Sequence, residues 1–292
     1  MNAARIVDAH HHLWQPDPGP EPWRHQPWMV GPAAALQRPF QPSDLRPELE
    51  AAGISATVLV QTQARLEETH SMLDAASRTD FIAGVVGWAD LTDPALDDTL
   101  SALQAREDGG FLVGIRHQVH DEADAQWLSR PDVSRGLDTV AAHGLVFDLL
   151  VRPRELPAAL AAAHTHPELR FVIDHIGKPD IAAGAFEPWA EQLSAFEVEH
   201  DHVWCKLSGM VTEASPGHWT PADLRPYIRH ALEVFGPQRC LFGSDWPVCT
   251  LAAGYGAVVH ALRSNLADLD NEETDQVLAG SAIALYGLSL ED

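Results

Sequence analysis

Along the chain, short runs of β-branched and other apolar residues alternate with longer Ala- and Leu-rich stretches of helical period. The apolar runs occupy 5–12, 56–63, 81–91, 112–119, 145–151, 170–177, 203–210 and 240–248. Most are continuously apolar rather than alternating. Parallel strands covered on both faces require this, because neither side of such a sheet meets water. Helix boundaries fall between the runs. Asp93-Pro94 and Thr220-Pro221 predict an N-cap followed by proline at the first helical position, where a missing N–H loses no bond. Gly53, Gly144, Gly236 and Gly287 stand where helices should stop, as expected of residues that adopt a left-handed conformation at little steric cost. Helical periodicity marks 43–52 and 271–286, and 254–268 predicts an extra helix before the last one. The proline- and tryptophan-rich stretch 15–42 reads as a long loop after the first strand rather than as a linker. Eight βα units in strict alternation predict a single α/β domain over 1–292, a (β/α)8 TIM barrel rather than an open doubly wound sheet. With the first strand opening near residue 5, no additional β-sandwich domain is expected.

Composition narrows the partners. A formal charge of −23 argues against nucleic acid or an anionic membrane surface, and more weakly against a polyanionic substrate, since a few local arginines override a global field. Cys205, Cys240 and Cys249 show neither a metal spacing nor a disulfide pattern. Two of them lie in or beside apolar runs and are expected buried and reduced. No apolar stretch reaches the roughly 18 residues of a membrane span, and the N-terminus lacks a signal-peptide pattern, so a cytoplasmic location is expected. An oligomeric state is not implied.

In a barrel of this kind chemistry sits at the carboxyl ends of the strands, and the polar residues concentrate there. The first run stops on His10-His11-His12, where alternation places His10 and His12 on one face and His11 on the other. Two co-facial imidazoles bind a divalent metal or aim two N–H donors at one oxygen; an expression tag would be longer and would not interrupt a strand. Strand two ends in Gln61 and Gln63, strand four in Arg116 and His117, strand six in Asp174-His175-Ile176-Gly177-Lys178 and strand eight in Ser244-Asp245-Trp246. Strand seven carries Lys206 and Ser208. A lysine inside a buried strand is costly unless it is paired or faces a wet cavity, and Asp148 in strand five is suited to neutralise Lys206 or Arg116. His143, His164, His166, His200 and His202 precede strands and are expected solvated on the opposite face. Trp23 and Trp28, in the long loop, suit stacking on a sugar-like ring, whereas Trp88 and Trp246 could equally be core.

VDAHHHLW, VLVQ, GVVGWADL, GIRH, FVIDHIGKP, CKLSGM and LFGSDWPV follow one another across nearly the whole chain. In that order they resemble the amidohydrolase superfamily, and more narrowly the sugar-lactonase branch of its amidohydrolase-2 group. That branch contains L-fuconolactone and L-rhamnonolactone hydrolases and is related to 2-pyrone-4,6-dicarboxylate lactonase. The resemblance implies a carbohydrate-catabolic hydrolase acting on a small-molecule aldonolactone. Asp245 is then the general base, and His10, His12 and His175 polarise the carbonyl. Arg116, His117, Lys206, Gln61, Trp28 and Trp246 hold the substrate. Binuclear superfamily members need a bridging Lys or Glu at strand four and a His at strand five. Arg116-His117 and Leu149-Leu150-Val151-Arg152 stand at those strand ends here. The expectation is that no cofactor is required, with at most one weakly held divalent ion such as Zn²⁺ on His10, His12, His175 and Asp245. Two rivals stand beside this reading: a metal-dependent decarboxylase or hydrolase of an aromatic or pyrone acid, and a non-catalytic barrel that binds a sugar acid. Retention of all four polar centres counts against the second.

Overall fold

Eight strands pair in parallel and in sequence order: β1 (Val7–His11), β2 (Ala56–Val60), β3 (Ile82–Gly87), β4 (Leu112–His117), β5 (Val146–Leu149), β6 (Phe171–Ile173), β7 (Val203–Leu207) and β8 (Cys240–Phe242). The structure is a computed structural model and describes residues 5–14, 31–197 and 200–290. The circle closes between β8 and β1 at their carboxyl ends, where His12 N donates to Trp246 O at 2.7 Å and Asp245 N to His10 O at 2.8 Å. This is the expected (β/α)8 barrel. Its strands are shorter than the apolar runs, which continue into the loops that follow them.

Boundary signals mostly hold. Thr220-Pro221 opens the helix Pro221–Phe235, with Thr220 N and Oγ1 donating to Asp223 at 2.7 and 2.8 Å. Gly53 and Gly287 end their helices in the left-handed region, at φ 71° and 64°. Asp93-Pro94 differs: its helix begins at Leu96, and the Asp93 carboxylate instead accepts from Ala95 N at 2.9 Å, forming a turn before the helix. The extra helix is Tyr255–Asn265. The final one is two α-segments, Asn271–Asp275 and Ser281–Tyr286, joined by a π turn over Gln276–Gly280. His166 and His200 are buried rather than solvated. His166 ties two helices together through Asp138 at 2.7 Å and Ser134 at 3.0 Å. All three cysteines are free and buried.

Apolar packing forms two shells. Outside the sheet, Leu59, Ile115, Phe147, Phe171, Leu207 and Phe242 meet the helices. Inside it, Val7, Ala9, Val58, Val86, Val146, Val172 and Leu241 fill the lower barrel, closed by Leu285 and Tyr286 of the last helix. Above this apolar plug lies a layer of buried ions. Lys206 Nζ sits 2.5 Å from Asp148 Oδ2 and 3.0 Å from Asp174 Oδ1, while Arg116 Nη1 is 3.0 Å from Asp174 Oδ2. Tyr286 donates its hydroxyl to Asp148 at 3.0 Å from below. Two cations thus face two carboxylates, which is how a barrel tolerates charges out of reach of water.

Truncating one member leaves the others uncompensated. Lys206→Met is expected to lower stability by about 3–5 kcal/mol in urea titration. Burial already pushes Asp148 up to about 6, against the pull of Lys206. Without the lysine its folded-state pKa rises further above the unfolded value, so the folded protein holds the extra proton. The deficit of the variant should therefore grow as pH rises from 5 to 8; a pH-independent deficit would contradict the buried ion layer.

Candidate active site

The β1–β2 ladder is irregular between Asp8 and His11. Val7 and Ala9 belong to the inner shell, and His10 turns inward as well, which a regular strand forbids. Asp8 lies on the other side of the sheet, accepting from Ser244 N at 2.8 Å, Tyr255 Oη at 2.9 Å and His10 N at 3.2 Å. His11 also faces outward, with Nε2 2.8 Å from Thr57 Oγ1. His12 returns inward and donates Nδ1–H to Val60 O at 2.7 Å. Gly243 gives His10 its room, since a Cβ there would lie 2.6 Å from His10 Cβ.

The other two inward groups sit on left-handed backbone. His175 has φ 54° and Asp245 has φ 58°. With Ile176 and Lys178 they are the non-glycine residues of positive φ among those described. Such residues cost about 1–3 kcal/mol each and persist only where their surroundings fix them. The fixing groups are visible. Ser208 Oγ lies 2.9 Å from His175 Nδ1, and Gly209 leaves the space above that ring, where a Cβ would come within 2.5 Å of Nδ1.

Four side chains then converge. Asp245 Oδ1 lies 3.9, 3.3 and 3.9 Å from Nε2 of His10, His12 and His175. Burial depresses His10 and His175 well below the usual imidazole range, over the opposing pull of Asp174 and Asp245 respectively, so both are neutral. Burial raises Asp245, but the polar N–H of the neutral His175 ring, the His12 contact at 3.3 Å and the Lys178 ammonium outweigh it and hold the carboxyl below its usual range. Asp174 is likewise held well below its usual range: burial opposes its ionisation, and Lys206, His10 and Arg116 overcome it.

His12 reveals more through its tautomer. A carbonyl only accepts, so the bond to Val60 O puts the proton on Nδ1 and turns the Nε2 lone pair toward an ionised carboxylate. Two acceptors 3.3 Å apart call for positive charge between them, a second proton on His12 or a cation. The ligating atoms of His10, His175 and Asp245 lie within 4.8 Å of one another. Two imidazole nitrogens and one carboxylate oxygen form a set that suits one Zn²⁺-like ion, while His12 faces Asp245 from outside that trio. Arg116 Nη1, 3.3 Å from His10 Nε2, competes for that lone pair and brings a cation close to the trio.

Several expected substrate contacts are placed elsewhere. Arg116 and Lys206 form the floor beneath His10, committed to Asp174 and Asp148. Gln61 is buried with them, donating to Arg116 O at 3.0 Å and exchanging bonds with Gln118. His117 points away from the barrel axis. Trp88 Nε1 donates to its Nδ1 at 3.1 Å, Glu122 takes its Nε2 at 2.8 Å, and Trp127 stacks on its ring at 4.3 Å. Trp246 is buried edge-on against Phe40, with ring centroids 5.4 Å apart. Trp23 and Trp28 lie outside the described residues. Two carboxylates escaped sequence reasoning as organisers, Asp8 and Asp174. Asp174 stands beside His175 in the motif, and its charge within an apolar run was the available signal.

The amidohydrolase family pattern matches residues 7–288. An L-fucono-1,5-lactonase of Burkholderia ambifaria is 42% identical over 86% of this chain and 83% of its own. Another from Burkholderia multivorans is 35% identical over 99% of this chain and 97% of its own. A crystal structure of a Burkholderia multivorans amidohydrolase with bound zinc superposes with a TM-score of 0.89 at 35% identity, covering 98% of this chain and 100% of that one. With its His10-His12-His175-Asp245 cluster at the strand ends of a parallel barrel, the chain belongs to the amidohydrolase-2 family.

Proposed function

We propose that the protein hydrolyses a neutral, polyhydroxylated sugar 1,5-lactone to its aldonic acid. The observation that carries this reading is the convergence of three imidazoles on one ionised carboxylate, Asp245, at the strand ends. Kinship at 35–42% with L-fucono-1,5-lactonases supports the lactone class and the six-membered ring.

The lactone carbonyl lies against Asp245 and His175. Asp245 takes a proton from water as the water oxygen bonds to the carbonyl carbon. Charge developing on the carbonyl oxygen is met by His175. Ser208, a hydroxyl that donates as readily as it accepts, can donate to Nδ1 and leave Nε2–H aimed into the site. Donors of this kind contribute a few kcal/mol to the transition state. The intermediate collapses by breaking the bond to the ring oxygen, and Asp245 returns its proton to that leaving alkoxide. His12 departs from the simpler expectation of three equivalent donors, because its Nδ1 is spent on Val60. It serves through positive charge beside Asp245, or as a ligand. An ion held by His10, His12, His175 and Asp245 would polarise the carbonyl and acidify the water. Because Arg116 already contests His10 Nε2, that ion is held weakly, and the protein's own groups suffice for an ester as activated as a lactone.

Asp245→Asn keeps the shape and removes the basicity. Turnover of L-fucono-1,5-lactone, followed by acid release, should fall at least about a hundredfold with circular dichroism unchanged. A folded variant retaining a tenth of the rate would move the base elsewhere. Dialysis against a strong chelator, with metal content verified, should leave activity largely intact; loss reversed only by Zn²⁺ would make the ion essential. Finally, aldonolactones (L-fucono-, L-rhamnono- and L-galactono-) should exceed 2-pyrone-4,6-dicarboxylate in kcat/KM. Two substrate carboxylates each call for a bidentate arginine, and Arg116 and Lys206 are already neutralised by Asp174 and Asp148. Preference for the pyrone would overturn the substrate class while leaving a lactonase.

A further inference from the structure

After β8 the chain presents Ser244-Asp245-Trp246 to the site, with Asp245 on left-handed backbone at φ 58°. A non-glycine residue keeps that conformation only where neighbouring bonds hold it. The backbone N–H groups of the turn show what does so. Ser244 N donates to Asp8 Oδ1 at 2.8 Å, Asp245 N to His10 O at 2.8 Å, and Trp246 N to Ser244 Oγ at 3.0 Å. Ser244 Oγ in turn donates to His10 O at 3.4 Å. Apart from the local bond to Ser244, these anchors lie on β1.

The same Asp8 oxygen accepts from His10 N at 3.2 Å. Short carboxylates bend their own backbone through such a bond two residues on, and this one spans the Asp8–His11 interval where the β1–β2 register shifts. One oxygen therefore grips the backbone of His10 and of the residue before Asp245. The other, Oδ2, accepts from Tyr255 Oη at 2.9 Å. Tyr255 opens the extra helix Tyr255–Asn265, and both it and Asp8 are buried. A buried carboxylate is costly unless its hydrogen bonds are met. The phenol meets the second oxygen and keeps the first turned toward the two N–H groups.

We propose that Asp8, braced by Tyr255, is the positioning residue that holds Asp245 against the histidines. It acts from behind the sheet, through the backbone of Ser244 and His10, and touches none of the reacting atoms. The extra helix thereby acquires a task in the site: it delivers one hydroxyl to the carboxylate that sets the turn. The effect on rate builds on the lactonase reading, whereas the placement of Asp245 does not depend on it.

The test measures kcat and KM for L-fucono-1,5-lactone per folded molecule in the wild type, Asp8→Asn, Asp8→Ala and Tyr255→Phe, with a crystal structure of each. Asp8→Asn keeps an acceptor for the two backbone N–H groups, and its amide can donate to Tyr255 Oη, so kcat should stay within about threefold of wild type. Asp8→Ala removes the clasp, and kcat should fall about a hundredfold with KM within about twofold, the cost of misplacing a reacting group by about 1 Å. Tyr255→Phe should fall between them, at about tenfold, and carries the test if the alanine variant does not fold. In the crystals, Asp245 should keep its place in the wild type and Asp8→Asn and withdraw from His12 by about 1 Å in Asp8→Ala, less in Tyr255→Phe. An unmoved Asp245, a loss confined to KM, or an asparagine variant as impaired as the alanine one would overturn the positioning role and leave the lactonase reading intact. A wild type inert toward aldonolactones would overturn the lactonase reading, and the crystal structures would still decide whether Asp8 places Asp245.

Discussion

Asp174 is the carboxylate on which the candidate site depends. It stands at the end of β6, 3.0 Å from Lys206 Nζ and 3.0 Å from Arg116 Nη1, with His10 Nδ1 3.4 Å away. In a low-dielectric interior none of these charges is tolerable alone, and together they fix one another's positions. His10 lies directly on this layer, and the ring of His175 packs beside it at 4.5 Å. Asp245 in turn remains ionised through the imidazoles that face it. The apolar plug below and the reactive groups above are joined through these ions.

Much of this was legible in the chain. Continuous apolar runs revealed buried parallel strands, and the rule that barrel chemistry lies at carboxyl ends singled out His10, His12, His175 and Asp245. The cost of burying Asp148 pointed to a pairing with Lys206 or Arg116, and Lys206 takes it at 2.5 Å. Depth along the barrel axis was not legible. Arg116, Lys206 and Gln61 project inward as expected, yet they end beneath the histidines, already bonded to one another's neighbours. Alternation says which side a residue faces and nothing about what reaches it first.

Local geometry supplied the remaining differences. The irregularity in β1 allows Ala9 and His10 to face the same way, and no residue type there announces it. His117 follows Arg116 directly, so its ring belongs to the outer layer, where Trp88, Glu122 and Trp127 claim it. Asp93-Pro94 has the composition of a helix start but closes a turn, because the carboxylate finds Ala95 N before the helix begins. In each case a short-range bond outcompeted the pattern read over a longer window.

The seam between the first and last strands carries one more consequence. The chain closes its circle through the backbone of His10, His12, Asp245 and Trp246, so the bonds that complete the barrel run through residues of the candidate site. Any fluctuation that parts β8 from β1 draws Asp245 away from the histidines in the same motion. On the proposed mechanism, inactivation and the opening of the barrel are then a single event.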